Sequence, residues 1–350
     1  MQIQILTQER MTESGRSLKL LMQNQSIRLL DLFVRESLQN CLDASLDRSK
    51  KTKVEVDFIT GKFNAEKLNA ELEHVGQRLN FRYGHGESEF IAIRDSETHG
   101  LTGTNDVSDD RSRLQGLVYH ISKGQSAEGS GGSWGIGKTV FFKMGIGLVI
   151  YYSRTREGDG FLSKMAATLV EDETEDPLIT LNDYRGISFF GRHEHDDVVN
   201  DFRSRTVPIN DEEYIEQVLN IFGIKPYSNE KTGTTVIIPY TNSAQLLKDV
   251  RPTHTGEANE RDPTWVDSVE DYIRISIQRW YSPRLMNPEY DGSWLKASIN
   301  GHPISQNQME LLFRLISELY NLSSNPTNYR TEFLDRFKPE TAIIRTKAVK

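Results

Sequence analysis

The stretch Arg35-Glu36-Ser37-Leu38-Gln39-Asn40-Cys41-Leu42-Asp43-Ala44 constrains the chain more than any other. At about 100° per residue on a helix, Glu36, Asn40 and Asp43 fall within one narrow arc. Leu30, Val34, Leu38 and Cys41 form a separate apolar stripe. The spacing predicts a helix that packs on a sheet with one side and presents two carboxylates and an amide with another. Carboxylates and an amide oxygen suit a hard divalent cation, and a carboxylate can polarise a water. Taken alone, such residues at helical spacing read as a solvated face. The motifs downstream give them a different meaning.

At 350 residues the chain allows one large domain or two ordinary ones. A hydrophobic fraction of 37% beside 26% charged residues is ample for a core. The net charge of −8 argues against nucleic-acid binding through bulk charge and leaves a local basic groove or a partner as the routes to it. The single cysteine, Cys41, excludes an internal disulfide and any multi-cysteine metal site. Its place on the apolar stripe makes it a buried structural thiol. The N-terminus lacks the apolar core of a signal peptide, and no stretch reaches membrane-spanning length. A cytoplasmic protein without membrane contact is the expectation.

In chain order, Gln2 to Leu6 alternates as a strand or arm, and Ser17 to Asp47 is helical, as two helices. Val54 to Phe58 reads as a strand, and Asn64 to Leu79 as helix with Asn64 as a cap. Glu89 to Arg94 (EFIAIR) is a strand that delivers Asp95 at its end. A polar segment through Gly100 and Gly103 follows, then a helix over Arg111 to Ser122, a Gly/Ser-rich loop over Ser126 to Gly137, and a helix from Lys138 to Met144. Leu148 to Tyr152, Phe161 to Val170 and Gly186 to Phe190 read as strands. Asp211 to Phe222 reads as a helix with an acidic first turn. Gly233 to Pro239 (GTTVIIP) reads as a strand stopped by proline. Beyond it, Val266 to Trp280 and Ile304 to Tyr320 read as helices, and Trp294 to Ile299 as a strand entering an Asn300-Gly301 turn. His193 and His195, with no third ligand evident, read as surface histidines rather than a metal site.

Gly132-Ser-Trp-Gly135-Ile-Gly137-Lys138-Thr139 satisfies the phosphate-loop pattern G-x-x-x-x-G-K-[ST]. Its backbone amides, the following helix start and the Lys138 charge all suit phosphate. A P-loop nucleoside triphosphatase, however, needs an apolar strand running into the first glycine, and Ser122 to Ser130 is polar. It also needs a second strand ending in an acid, whereas Leu148 to Tyr152 runs into Ser153 and Arg154. Five glycines between Gly129 and Gly137 suit a lid better than a compact cradle.

Read in order, Glu36-x-x-x-Asn40-x-x-Asp43-Ala44, then Asp95 with Gly100 and Gly103, then the glycine loop with Lys138, then Gly233-Thr234-Thr235 strongly resembles the GHKL ATPases. That family includes gyrase B subunits, the ninety-kilodalton heat-shock chaperones, histidine kinases and MutL proteins, with MORC-type relatives. The resemblance covers roughly Ser26 to Tyr240. One departure stands out: the family's second motif is the compact D-x-G-x-G, whereas four residues separate Asp95 from Gly100 here.

The resemblance implies Glu36 as the general base and Asn40 as the ligand of a magnesium ion bridging the phosphates. It implies Asp43 as support on the adenine side and Asp95 as acceptor of the adenine amino hydrogen bond. Gly100 and Gly103 would shape the pocket floor. Gly132, Gly135, Gly137 and Lys138 would close over the triphosphate, with Thr139 ending the pattern, and Thr234 would reach the base or a water beside Asp95. The implied fold is a two-layer α/β sandwich, a mixed, mainly antiparallel sheet with helices on one face. Residues 1–245 would form the ATP-binding domain, and 246–350 a C-terminal extension resembling part of a transducer domain. The implied function is Mg-dependent ATP hydrolysis that closes a lid and drives homodimerisation or docking of a protein partner. The sequence also resembles uncharacterised bacterial proteins of this type, some of which lie beside nucleases in phage-defence loci, which implies a phage-defence setting. Two competitors are a histidine-kinase-like phosphotransferase and a nucleotide-gated scaffold without turnover. No histidine precedes His74, and Glu36 favours hydrolysis over transfer to a side chain.

Overall fold

A computed structural model describes residues 1–6, 14–21, 27–47, 51–105, 112–119, 139–174, 178–180, 185–194, 204–250 and 266–324. The chain opens with an edge strand β1 (Gln2–Ile5), a short helix α1 (Gly15–Leu21) and the focal helix α2 (Leu29–Asp43). A long strand β2 (Lys53–Asn64) leads into α3 (Ala65–Ala70) and α4 (Gly76–Tyr83), then β3 (Glu87–Ser96). Asn64 caps α3 as expected, its side chain accepting from the Lys67 amide at 2.9 Å. The segment expected as a helix over Arg111 to Ser122 is a π-helical turn, Gln115–Tyr119, within its described part.

The helix α5 (Val140–Met144) introduces the central strands β4 (Leu148–Glu157), β5 (Gly160–Val170) and β6 (Ile187–His193). A two-residue strand β7 (Thr206–Val207) pairs with β6, and α6 (Glu212–Ile221) begins at Asp211, whose side chain accepts from the Tyr214 amide. The strand β8 (Gly233–Thr241) does not stop at Pro239. It continues two residues further, because a register shift between Glu89 and Phe90 on β3 falls where the proline lacks its donor. A helix α7 (Ser243–Val250), which the sequence reading did not include, follows directly. Then come α8 (Val269–Tyr281), β9 (Trp294–Ile299), β10 (His302–Pro303) and α9 (Leu311–Ser324). Asn300 and Gly301, both at positive φ, make the turn between the last two strands.

The ten strands of the described residues lie in one mixed, mainly antiparallel arrangement in the order β1-β6-β5-β4-β8-β3-β2-β9-β10, with β7 beside β6. The parallel pair is β2 with β9, Val56 opposite Ala297, which places residues beyond 246 in the same sheet. Alternation along the strands divides the interior into two layers. On one face, α2, α5, α7 and α8 cover Val56, Ile93, Tyr151, Val236 and Leu295. On the other, α3, α4 and α6 cover Phe63, Phe90, Ile150, Tyr152 and Ile237. The two long helices α2 and α8 thus share one face, and α3, α4 and α6 lie on the second.

The α2 stripe is buried as its spacing requires, with Leu30, Val34 and Leu38 at 0% exposure. Each such side chain contributes about 1.5–3 kcal/mol relative to exposure. The buried face is wider than the stripe, taking in Asp31, Phe33, Ser37 and Leu42. The sheet lies beneath α2, α5 touches it through Phe33 and Phe141 with ring centroids 6.2 Å apart, and α8 flanks it.

Candidate nucleotide site

The site is built where the C-terminal half of α2 meets the end of β3. Cys41, on the buried stripe, lies 3.7 Å from Asp95 Oδ2. Its neighbours Asn40 and Asp43 turn outward, Asn40 exposed and Asp43 half-buried. Glu36 stands five residues earlier, about 7.5 Å along the axis, its side chain 16% exposed. The helix therefore delivers the arrangement its spacing predicts, with an apolar side on the sheet and Glu36, Asn40 and Asp43 on the outer arc.

Asp95 is the most enclosed of these groups. β3 runs past Arg94 to Ser96, so Asp95 sits within the strand and faces α2, in phase with Ile91 and Ile93. Its Oδ1 accepts the Thr98 hydroxyl and the Thr234 backbone amide, the latter at 3.1 Å. Its backbone carbonyl accepts the Tyr227 hydroxyl at 2.6 Å. Burial pushes its pKa up to about 6, and the Thr98, Thr234 and Cys41 hydrogen bonds with the Arg94 charge offset only part of that. Burial, with Asp95 alongside, pushes the Cys41 thiol well up, so Cys41 stays protonated and donates to Asp95. This is the structural thiol expected.

The start of β8 approaches Asp95 so closely that a side chain on Gly233 has no room: a Cβ there would lie 2.2 Å from the Asp95 carbonyl oxygen. Gly100, at φ +68, is equally confined, its missing Cβ 2.7 Å from Ser153 Oγ. Ser153 Oγ accepts the Leu101 amide and donates to the Gly233 carbonyl, both at 2.8 Å. This joins the turn after β3 to the strand that carries Thr234. Gly103 packs on Ser112.

Arg94 alternates to the opposite sheet face, over the Tyr227 ring at 3.8 Å. No role for Thr98, Tyr227 or Ser153 follows from the sequence. Thr98 lies in the extra length between Asp95 and Gly100, and no pattern marks the other two.

Gly132, Gly135, Gly137 and Lys138 lie outside the described residues. Both flanks of that segment are fixed beside α2. On one side Arg113 Nη2 donates to the Asp43 carbonyl at 3.4 Å. On the other, buried Thr139 opens α5, which packs on Phe33. At Glu36, Arg35 places Nη2 at 2.6 Å and Nε at 3.1 Å from the same oxygen, Oε1. The Arg35 guanidinium lies 5.6 Å from the Trp280 ring of α8, and Tyr281 donates to the Arg35 carbonyl at 2.8 Å.

His193 is not the surface residue expected. It is 5% exposed, with Nε2 at 3.3 Å from the Ile3 carbonyl. Its phase with Ile187 and Phe189 along β6 was the signal that could have placed it inside. His195 lies outside the described residues. No helix among the described residues is long and apolar enough to cross a membrane.

No family model matches the chain. No curated protein matches it either. Among solved structures, the ATPase region of Saccharomyces cerevisiae topoisomerase II is similar at a TM-score of 0.38 and 10% identity, over 87% of this chain and 55% of that one. The same region bound to ICRF-187 (dexrazoxane) is similar at 0.39 and 11%, over 86% and 55%. The chain spans little more than half the length of those chains, and a likeness at that level says nothing of activity.

Proposed function

We propose that this chain is a Mg-dependent ATP-binding and ATP-hydrolysing switch. The observation that supports it best is Asp95: a buried carboxylate with one oxygen filled by donors of the chain, beside the helix arc that carries Glu36, Asn40 and Asp43. A buried acceptor of this kind suits an exocyclic amine. The donor set on α2 also fits the cation. No group of three or more His, Cys, Asp or Glu among the described residues could hold a metal. Magnesium suits such a site, since it is held by few protein oxygens together with phosphates and water. Asn40 would be its protein ligand, and the ion would neutralise phosphate charge. Glu36 would accept the proton of the attacking water, and Asp43 would brace the adenine side. The segment rooted at Arg113 and Thr139 would close as a lid carrying Lys138. Its ordering would make a surface for a second copy or a protein partner.

A second reading, nucleotide gating without turnover, is favoured by one observation: Glu36 is engaged by Arg35 rather than free. Calorimetry with Mg·ATP followed by single-turnover phosphate release separates the two. Binding with release supports the switch, binding without release supports the gate, and absence of binding overturns both. Lid protection from protease by a nonhydrolysable ATP analogue tests the closure.

A further inference from the structure

We propose that Thr98 is a positioning residue for purine choice: by filling Oδ1 of Asp95 it leaves Oδ2 as the acceptor for the 6-amino group of adenine. This rests on the ATP-binding reading and adds to it.

A carboxylate oxygen has two acceptor sites. Oδ1 uses both, for the Thr98 hydroxyl and the Thr234 amide. Among the described residues Oδ2 receives only the Cys41 thiol at 3.7 Å, a weak donor. The asymmetry is held by Thr98 itself, which is fully buried. Its carbonyl accepts the Thr232 hydroxyl at 2.5 Å, its backbone bridges to Ser45 past the end of α2, and the next residue, His99, donates its amide to the Ala44 carbonyl at 2.9 Å. Glu97 at φ +64 and Gly100 at φ +68 bracket it. The extra residues between Asp95 and Gly100 thus fold back and aim a hydroxyl at the carboxylate.

The terminal torsion of an aspartate is broad and nearly two-fold. Without the Thr98 donor one restraint on that torsion is lost, and the acceptor for the base is no longer fixed. Guanine presents an oxygen at the same position, acceptor against acceptor, so the arrangement selects an amine.

The test is a cycle between Thr98 and the 6-amino group, read as equilibrium affinity of the full chain. The ligands are ATP and purine riboside triphosphate, which differs in carrying hydrogen at C6. T98V is expected to weaken ATP about tenfold and to leave the analogue within about twofold, while T98S restores ATP. If valine is not tolerated in so closed a space, T98A reads the same cycle. Equal loss for both ligands makes Thr98 a support of the fold and overturns the inference, as does unchanged ATP affinity. A wild type that binds both ligands equally overturns the inference while ATP binding stands. A wild type that binds neither overturns the ATP reading, and this inference with it.

Discussion

Helix α2 carries two carboxylates five residues apart that live in opposite circumstances. Asp31, in the first turn, is 5% exposed and saturated. It accepts from Tyr272 at 2.7 Å, Ser276 at 2.8 Å, Arg279 at 2.6 and 2.7 Å, and Trp280 at 3.3 Å, all on α8. Glu36 faces outward with Arg35, its own neighbour, on one oxygen. A buried charge persists only where donors replace its water, and four converging side chains do so for Asp31. Among the described residues, the chain therefore fixes one end of the helix and leaves the acid at its middle with acceptor capacity to spare. A saturated carboxylate is a joint, and an unsaturated one is available for chemistry.

The largest expected effect tests the available acid. Glu36→Ala should lower single-turnover hydrolysis about a hundredfold or more while ATP affinity stays within a few fold. Equal loss of both would make Glu36 a binding residue. At the rigid end, Asp31→Asn puts an amide among donors. The expected cost is about 3 kcal/mol of unfolding free energy in a urea titration. A cost below about 1 kcal/mol would mean that the α8 contacts are not the joint described.

Asp95 stands between these extremes, buried like Asp31 yet with one oxygen lightly used. Its pKa of about 6 lies above the ordinary 3.8 because burial disfavours the charge. Between those values the folded chain holds a proton that the unfolded chain has released. Its contribution to stability therefore falls as pH rises from about 4 to about 6, and is flat above. Nucleotide affinity should run the other way, since an amine needs the ionised acceptor. ATP affinity is expected to drop about tenfold per unit below about pH 6 relative to purine riboside triphosphate, whose phosphates titrate alike. Parallel profiles for the two ligands would remove Asp95 from base recognition.

Local physics made much of this legible. The α2 stripe, the Asn64 cap, the acidic first turn of α6, the Asn300-Gly301 turn and the delivery of Asp95 by β3 each depend on residues within a few positions of one another. What stayed hidden depends on distant partners. Asp31 meets Tyr272 across 241 residues, and β2 meets β9 across a similar span, so neither is written in any window of sequence. Thr98 was hidden for a different reason: its value comes from a backbone that doubles back through a left-handed Glu97, which no residue pattern announces. The flap glycines are plain in the sequence because Gly129 to Gly137 is one local run.

The smallest effect concerns Arg35, and it sharpens what availability means at Glu36. The pair lies between neighbours on one helix, with the arginine side chain 36% exposed, so it contributes no more than about 1 kcal/mol to stability. Its interest is geometric. Both guanidinium nitrogens address Oε1, which leaves Oε2 as the oxygen turned elsewhere, and the Tyr281 hydroxyl ties the Arg35 backbone to α8. If Arg35 orients the base, Arg35→Ala should lower turnover about two- to fivefold with KM unchanged, Arg35→Lys should fall between, and the urea midpoint should hardly move. A rise in turnover would invert the picture: the guanidinium would then be a lock that must release Glu36, and α8, which holds the arginine from behind, would be the element that sets it.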